Sequence, residues 1–434
     1  MADPLVPWAA PHIQARLAEI ESGFTGFSVD AVEAMVWERL AGHRHAVDDT
    51  GIMLYAGTNA MSPRAAAVHS AALGGRPSMG WPGEKRQTGL EHLEVIETLA
   101  QRLTAQAFRA RYAEVRIQSA TFANLAVYTA FTEPGDTIAA LSPAAAGHMS
   151  HRAPGAPGVR GLNVVDLPYA PDDFDVDVAA LPAFLDRHRP RLVVVGASVM
   201  LFPHRLSDIA AAAHDAGALV LYDGSHMAGL IAGGRFQDPL AEGADIFDGS
   251  TYKSFGGPPG AVICTNDPAL AERVSAAVYP TLTANFDPSR LAPLAIAAAE
   301  ALENGRSYAD RCLANARALA AALHEQGFQV LAADRGFTRS HHIVVDARPL
   351  GGGRAAARRL AEAGVYLSAA GLAGAATAEP DSGLRIGTQE VTRRGLTEED
   401  LRQVAAWMGD VLLRGADPPA IRAATALLRR RRAG

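Results

Sequence analysis

The sequence predicts an α/β protein, with a large domain on a mostly parallel sheet followed by a smaller α+β domain. Three observations lead there. Short runs of β-forming residues recur between residues 137 and 265. Segments of helical spacing separate them, such as Leu206 to Ala216, which stops at Gly217. After about Gly305 the texture changes to a long helix and scattered short strands. Apolar runs alternating with helices argue for parallel strands covered on both faces. The expected divisions are 1–62 for an amino-terminal helical segment, 63–304 for the large domain and 305–434 for the small one.

Taken in order, residues 12–48 read as amphipathic helices broken at Gly23 and Gly26, with Ser28 and Asp30 offering caps. Y-A-G-T-N-A-M-S-P-R then begins a different texture, and helical spacing returns from Gly89 to about Phe108. The strand-like runs are T-I-A-A-L (137–141), L-N-V-V-D-L (162–167), R-L-V-V-V-G-A-S (191–198), A-L-V-L-Y-D (218–223) and A-V-I-C-T (261–265). A helix at Ala309–Gln326 leads to H-I-V-V-D (342–346), a helix through Arg358, Y-L-S-A (366–369), G-L-R-I-G-T (383–388) and closing helices. Right-handed crossovers place the loops after the strand C-termini along one rim. The G-G-G at 351–353 lacks a dinucleotide fingerprint and reads as a turn opening a helix.

The bulk numbers exclude several classes. At 434 residues, 49% hydrophobic and 20% charged, the chain has ordinary globular composition with room for a sizeable core. A net charge of −6 gives no reason to expect nucleic acid or an anionic membrane as partner. The basic run Arg429–Arg432 is accounted for by a solvated helix end. Two cysteines, Cys264 and Cys312, make neither a disulfide framework nor a metal site. The start, M-A-D-P-L-V-P-W, lacks a secretion signature and no apolar run reaches membrane-spanning length, so a soluble cytoplasmic protein is expected.

Only Lys85 and Lys253 are lysines among the 40 Lys+Arg residues. Arginine stays protonated in proteins, so lysine is needed chiefly where an amine must lose its proton and form an imine. Lys85, in the polar turn-like W-P-G-E-K-R-Q-T-G, reads as compositional drift. Lys253, in S-T-Y-K-S-F-G-G-P-P-G, lies between apolar runs and reads as a nucleophile. Asp223 ends the apolar A-L-V-L-Y-D, either as a strand-end cap or as partner to a cationic ring, and His226 follows. S-A-T-F-A-N-L-A-V-Y opens a helix at Ser119, Ala120 and Thr121, gathering hydroxyls and free backbone N–H groups where a phosphate could bind. An N-cap alone explains such residues in most proteins. Arg385 sits in the small domain within G-L-R-I-G-T. An amine, a carboxylate and a phosphate cradle on one rim are what pyridoxal 5′-phosphate requires.

At these residues the chain resembles the serine hydroxymethyltransferase family, fold-type I pyridoxal phosphate enzymes with a seven-stranded, mostly parallel sheet. The resemblance runs from about Met53 to Met408. Its strongest stretches are N-L-A-V-Y-T-A-F-T-E-P-G-D-T, A-G-H-M-S-H, D-G-S-H-M-A-G-L-I-A-G-G, S-T-Y-K-S-F-G-G-P-P-G and G-L-R-I-G-T-Q-E-V-T-R-R-G. It implies that Lys253 condenses with the coenzyme aldehyde and that Asp223 meets the ring nitrogen. It further implies that His148 stacks on the ring, that Ser198 and His226 lie at the ring hydroxyl, and that Ser119, Ala120, Thr121 and Ser250 serve the phosphate. Tyr252 stands where the family has a histidine beside the lysine. Arg385 would grip the substrate carboxylate. A homodimer or homotetramer with shared sites is also implied.

The departures set the expected activity. A serine of the family becomes Gly57, its folate-linked glutamate becomes Met79, and nearby tyrosines become Pro77, Arg86 and Gln87. Phe122 replaces a glutamine and Pro259 an arginine, while T-L-T-A-N-F-D-P (281–288) lacks the family's Gly-Gly pair. With the coenzyme set kept and the folate set rewritten, the leading expectation is an aldol-type enzyme on β-hydroxy-α-amino acids. It would cleave them to an aldehyde, or pass the glycyl carbanion to another aldehyde, without tetrahydrofolate. Alternatives are a folate-using hydroxymethyltransferase with Glu84 in place of the missing carboxylate, other chemistry such as transamination or racemisation, and a non-catalytic coenzyme-binding homologue.

Overall fold

The computed structural model describes residues 6–24, 26–372 and 381–432; residues 1–5, which open the amino-terminal stretch, lie outside them. The main sheet has seven strands: Tyr112–Ile117 (β1), Thr137–Ala140 (β2), Asn163–Asp166 (β3), Leu192–Val195 (β4), Leu219–Asp223 (β5), Ile246–Ser250 (β6) and Ala261–Thr265 (β7). Their order is β1-β7-β6-β5-β4-β2-β3, and only β7 runs against its neighbours.

Strand β4 shows why the runs are apolar throughout. Val193 and Val195 face one layer, with Leu206, Ile209 and the helix Glu91–Ala107; Leu192 and Val194 face the other, with the helix Ala120–Phe131. A strand covered on both faces has no solvent side to make polar. Each fully buried Leu or Val contributes about 1.5–3 kcal/mol.

Strand β1 falls outside the five expected runs because Glu114 and Arg116 interrupt its pattern. The two pair on the sheet, with Arg116 Nε donating to Glu114 Oε1 at 2.9 Å and Nη2 to Oε2 at 2.6 Å. The Arg116 guanidinium also lies 4.4 Å from the Trp81 ring centroid. Charge that reads as a loop from sequence is here a buried pair.

One helix, Leu291–Glu325, replaces the shorter Ala309–Gln326 expected. Gly305 interrupts the helical pattern in sequence but not the helix, because it is a crossing point. A Cβ at Gly233 would come within 2.4 Å of the Gly305 carbonyl oxygen, so glycine is needed where the two backbones meet. Leu291, Leu294 and Ala298 of this helix belong to the core under the main sheet. Leu319 and Leu323 belong to a second core with Ile343, Leu360, Leu384, Leu401 and Met408. That core covers the antiparallel sheet of His342–Asp346 (β8), Ser368–Ala370 (β9) and Gly383–Gly387 (β10), in the order β8-β10-β9. Ile52 and Leu54 pack into it as well, and Ile52–Met53 pairs in parallel with Val365–Tyr366. Gly351 and Gly352, at φ 82° and 97°, turn the chain into the helix Gly353–Glu362, as the G-G-G run predicts.

The helices Pro11–Ser22 and Val29–His43 bury none of their residues, and Ser28 caps the second by accepting from the Ala31 amide. No helix among the described residues is long and apolar enough to cross a membrane.

Candidate active site

The loops after β1, β2, β4, β5 and β6 leave the same rim of the sheet, and they carry most of the site. Asp223 is the last residue of β5 and is buried. Its Oδ2 lies 2.9 Å from His151 Nε2 and its Oδ1 accepts the Ser225 amide at 2.9 Å. A carboxylate can only accept, so His151 carries its proton on Nε2, and in its neutral form Nδ1 accepts from the Tyr128 hydroxyl, 2.6 Å away. Burial works to raise the Asp223 carboxyl, but His151, the Ser225 amide and the charge of Lys253 hold it well below the usual carboxylate range. Asp223 is a fixed negative charge deep in the protein.

Lys253 lies in the loop after β6, and its Nζ is 3.3 Å from His226 Nε2. His226 Nδ1 lies 3.3 Å from the Ala56 carbonyl and so holds the ring proton, leaving Nε2 as an acceptor toward the amine. Burial brings the Lys253 amine down to about 8, with Asp223 opposing and Arg385 adding to the shift. Burial together with Lys253 and Arg385 keeps His226 neutral, well below the usual histidine range. His341, donating Nε2–H to the His226 carbonyl at 2.9 Å, is pushed by burial down to about 4. A neutral histidine thus faces an amine that can be unprotonated near neutrality.

Arg385 comes from β10 in the small domain and reaches the same cleft, donating Nη1–H to the Ser198 carbonyl at 3.0 Å. Its guanidinium carbon is 5.6 Å from the Tyr55 ring centroid. A Cβ on Gly57 would approach that ring to 2.9 Å, so the space of the family's serine is taken by a phenol. Ser119 caps Ala120–Phe131 by accepting the Phe122 amide, which leaves the other first-turn N–H groups, including those of Ala120 and Thr121, outside the helix's own ladder. The Ser250 hydroxyl is buried without a hydrogen-bond partner, and its amide donates to the Ser225 hydroxyl at 3.2 Å. Tyr252 is half-buried beside Lys253, and burial raises its phenol. His148 is exposed at the rim, tied through Nδ1 to the Ser150 hydroxyl at 2.7 Å.

The rewritten family segments meet one another elsewhere. Ser78 donates its amide to Asn285 Oδ1 at 2.9 Å, and Arg86 Nε donates to the Tyr279 hydroxyl at 3.0 Å. Met79 donates its amide to Gln87 Oε1 at 3.0 Å, while Glu84 is exposed in the hairpin. Lys85, which reads in sequence as compositional drift, has a specific partner. Its Nζ sits 2.6 Å from Glu97 Oε2 and 2.9 Å from the Gly80 carbonyl, with both side chains almost wholly buried. The reading failed because Glu97 is twelve residues away on a helix whose periodicity hides a buried acid.

Sequence reasoning also missed His151, Tyr128 and His341. His151 lay inside the quoted A-G-H-M-S-H stretch, and its contact with Asp223 arises only when the short turn Met149–His151 folds across the strand end.

The residues present suit the coenzyme: an amine without an ion-pair partner, an ionised aspartate, an unbonded buried hydroxyl and a helix amino terminus on one rim. Sheet and site together define the fold-type I class of α/β enzymes, whose members work with pyridoxal phosphate. The sequence profile of the serine hydroxymethyltransferase family matches residues 29–408, and the chain belongs to that family. An α-methylserine aldolase from Variovorax paradoxus is 43% identical over 387 residues, covering 89% of this chain and 88% of that protein. A serine hydroxymethyltransferase from Methanopyrus kandleri is 40% identical over 380 residues, covering 87% of this chain and 88% of that one. The crystal structure of an L-threonine transaldolase from Pseudomonas fluorescens superposes with a TM-score of 0.83 at 25% identity, over 97% of this chain and 93% of that one.

Proposed function

We propose that the protein is a pyridoxal phosphate-dependent aldol-type enzyme acting on β-hydroxy-α-amino acids without tetrahydrofolate. The observation that carries this is the intact rim of Asp223, His226 and Lys253 in a chain that has Met79 where the family has its folate-linked glutamate. The relatives named α-methylserine aldolase support the reading and extend the candidate substrates to a serine bearing an α-methyl group.

Pyridoxal 5′-phosphate, when bound, supplies an aldehyde for the amine and a ring that draws electrons from Cα. Lys253 offers that amine, and neutral His226, whose Nε2 is 3.3 Å away, accepts a hydrogen bond from it and orients it. Asp223, fixed by His151 and the Ser225 amide, holds a proton at the ring nitrogen. The first-turn amides of Ala120 and Thr121, with the hydroxyls of Ser119 and Ser250, hold the phosphate at a helix amino terminus. His148 would lie against the coenzyme ring, with Tyr252 and Ser198 beside it. Arg385, oriented by the Ser198 carbonyl, binds the amino acid carboxylate. Held by its carboxylate there, a β-hydroxy amino acid would be oriented for loss of an aldehyde from Cα, for which the coenzyme, when bound, would supply the electron-accepting ring.

The test is a panel of L-threonine, L-serine, α-methylserine and glycine, with and without tetrahydrofolate. Visible absorbance of the bound coenzyme and release of aldehyde are followed. Folate-independent aldehyde release is expected; no response to any of the four would end the reading. Turnover of serine only with tetrahydrofolate would favour the hydroxymethyltransferase reading, which the relative from Methanopyrus kandleri supports.

We also propose a homodimer or homotetramer in the cytoplasm. Trp8, Phe27, Val29 and Trp37 are 82%, 81%, 80% and 65% exposed, the last two on the helix Val29–His43, which buries nothing in this chain, and the first two just ahead of the two amino-terminal helices, which supports a subunit contact. Both cysteines are free and buried, which supports a reducing compartment. Sedimentation of the purified protein as a monomer would end the first part. The proposed division of large from small domain near residue 304 is supported by two separate apolar cores, which change over on the long helix between Cys312 and Ala316.

A further inference from the structure

Strands β5 and β6 are parallel neighbours, with Asp223 paired to Asp248. Leu221 and Ile246 belong to the layer under the helix Ala120–Phe131, so strand alternation turns Asp223 and Asp248 to that same face. Two carboxyl groups therefore sit side by side in the sheet, 8% and 0% exposed. Their surroundings differ sharply. Asp223 accepts from His151, the Ser225 amide and, at 3.5 Å, Asn124. Among the described residues, neither oxygen of Asp248 has a hydrogen-bond donor. A buried carboxylate without donors is strongly disfavoured, and two carboxylates at adjacent positions do not both ionise.

We propose that Asp248 is held as the neutral acid and turns its O–H to the Asp223 carboxylate, forming a pair that shares one proton and one negative charge. The pair stands on the geometry above; its role in the enzyme rests on the reading of Asp223 as partner of the coenzyme ring nitrogen. Burial, then the charge of Asp223, drives the Asp248 carboxyl far up, and the Lys253 charge opposes without reversing it. The other titratable groups near it supply no cation: Tyr128 comes from the covering helix, Cys264 of β7 turns to the opposite face of the sheet, and burial raises both. His151 spends its Nε2 proton on Asp223. Asp248 is thus a positioning residue. Its proton stays in place, stops Asp223 from turning away and leaves a single charge to match a single protonated ring nitrogen.

Three measurements on the holoenzyme and its variants test this. The infrared spectrum at about pH 8 is expected to show a protonated-carboxyl band, shifted in heavy water, that is absent from Asp248→Asn. Urea unfolding is the second. Asp248 keeps its proton when folded and loses it when unfolded, so folded-state stability falls as pH rises above the ordinary aspartate range. The wild-type folding constant should lose about tenfold more per pH unit than that of Asp248→Asn between roughly pH 5 and 8. Third, Asp248→Asn still donates an N–H to Asp223 and should bind the coenzyme nearly as wild type, whereas Asp248→Leu should bind it about tenfold more weakly.

Identical carboxyl bands in wild type and Asp248→Asn, or parallel stability slopes, would show Asp248 ionised and overturn the proposal. Coenzyme affinity unchanged in Asp248→Leu would overturn the positioning role. If Asp248→Leu does not fold, the band and the slope still decide. A wild-type protein that binds no coenzyme would end the functional reading above, while band and slope would still give the charge of Asp248.

Discussion

Lys85 and Lys253, the two lysines of the chain, are both withdrawn from water, and what faces each amine sets them apart. Lys85 meets a carboxylate at 2.6 Å and a backbone carbonyl at 2.9 Å, so two of its three donors have acceptors and its charge a counter-charge. Lys253 meets a neutral histidine at 3.3 Å, with the Arg385 cation adding to the cost of its charge. The first environment stabilises an ammonium; the second favours an amine. Burial alone does not make a reactive lysine. Burial without an adjacent anion does.

The largest expected effect comes from removing the reactive amine. Lys253→Ala should purify without the coenzyme's colour and lose activity by on the order of 10³-fold or more, while its melting temperature in the coenzyme-free state stays at or above wild type. Coloured, active Lys253→Ala protein would erase the distinction between the two sites.

Lys85→Met should do the reverse, retaining colour in whatever protein folds but losing about 3–5 kcal/mol in urea unfolding, because Glu97 is left buried and unpaired. Adding Glu97→Leu should restore most of that loss. A Lys85→Met protein as stable as wild type would show the pair to be incidental.

The pH dependence separates the amines next. Neutral Lys253 is the nucleophile, and its amine titrates at about 8. The rate at which coenzyme-free protein takes up pyridoxal phosphate should therefore rise about tenfold per pH unit below that point and level off above it. A rate flat from roughly pH 6 to 9 would place the titration elsewhere.

The smallest effect lies at the edge of the site. Gly57→Ser sets a Cβ 2.9 Å from the Tyr55 ring and should cost about 1–3 kcal/mol, relieved when Tyr55→Ala is added. Equal stability of single and double variants would mean that the ring moves freely and does not fix Arg385.

How far the sequence could be read follows from how local each signal is. Lys253 stood out through its rarity, and Asp223 through its place at the end of an apolar run; both properties belong to a few neighbouring residues. Much of the sheet was legible for the same reason, since runs such as β4, buried on two faces, are apolar at every step, whereas β6, which is buried throughout but carries Asp248 and Ser250, was not among the expected runs. His151 and Glu97 were not legible, because their importance comes from one partner each, 72 and 12 residues away in the chain. Strand β1 was hidden by a charge pair that is satisfied only across the pleat. Gly305 looked like a stop because glycine weakens a helix locally, whereas the helix runs on through it and its backbone is met by Gly233 of a distant segment, where a Cβ would not fit.

The helix Leu291–Glu325, 35 residues long, runs about 50 Å as a single rod through both hydrophobic interiors. Neither interior can melt without fraying the element it shares with the other, so heating should give one calorimetric transition in which the two lobes come apart together. The arginine of one lobe and the amine of the other are held in step by the same rod, and damage at Leu319 would be felt at the chemistry without touching it.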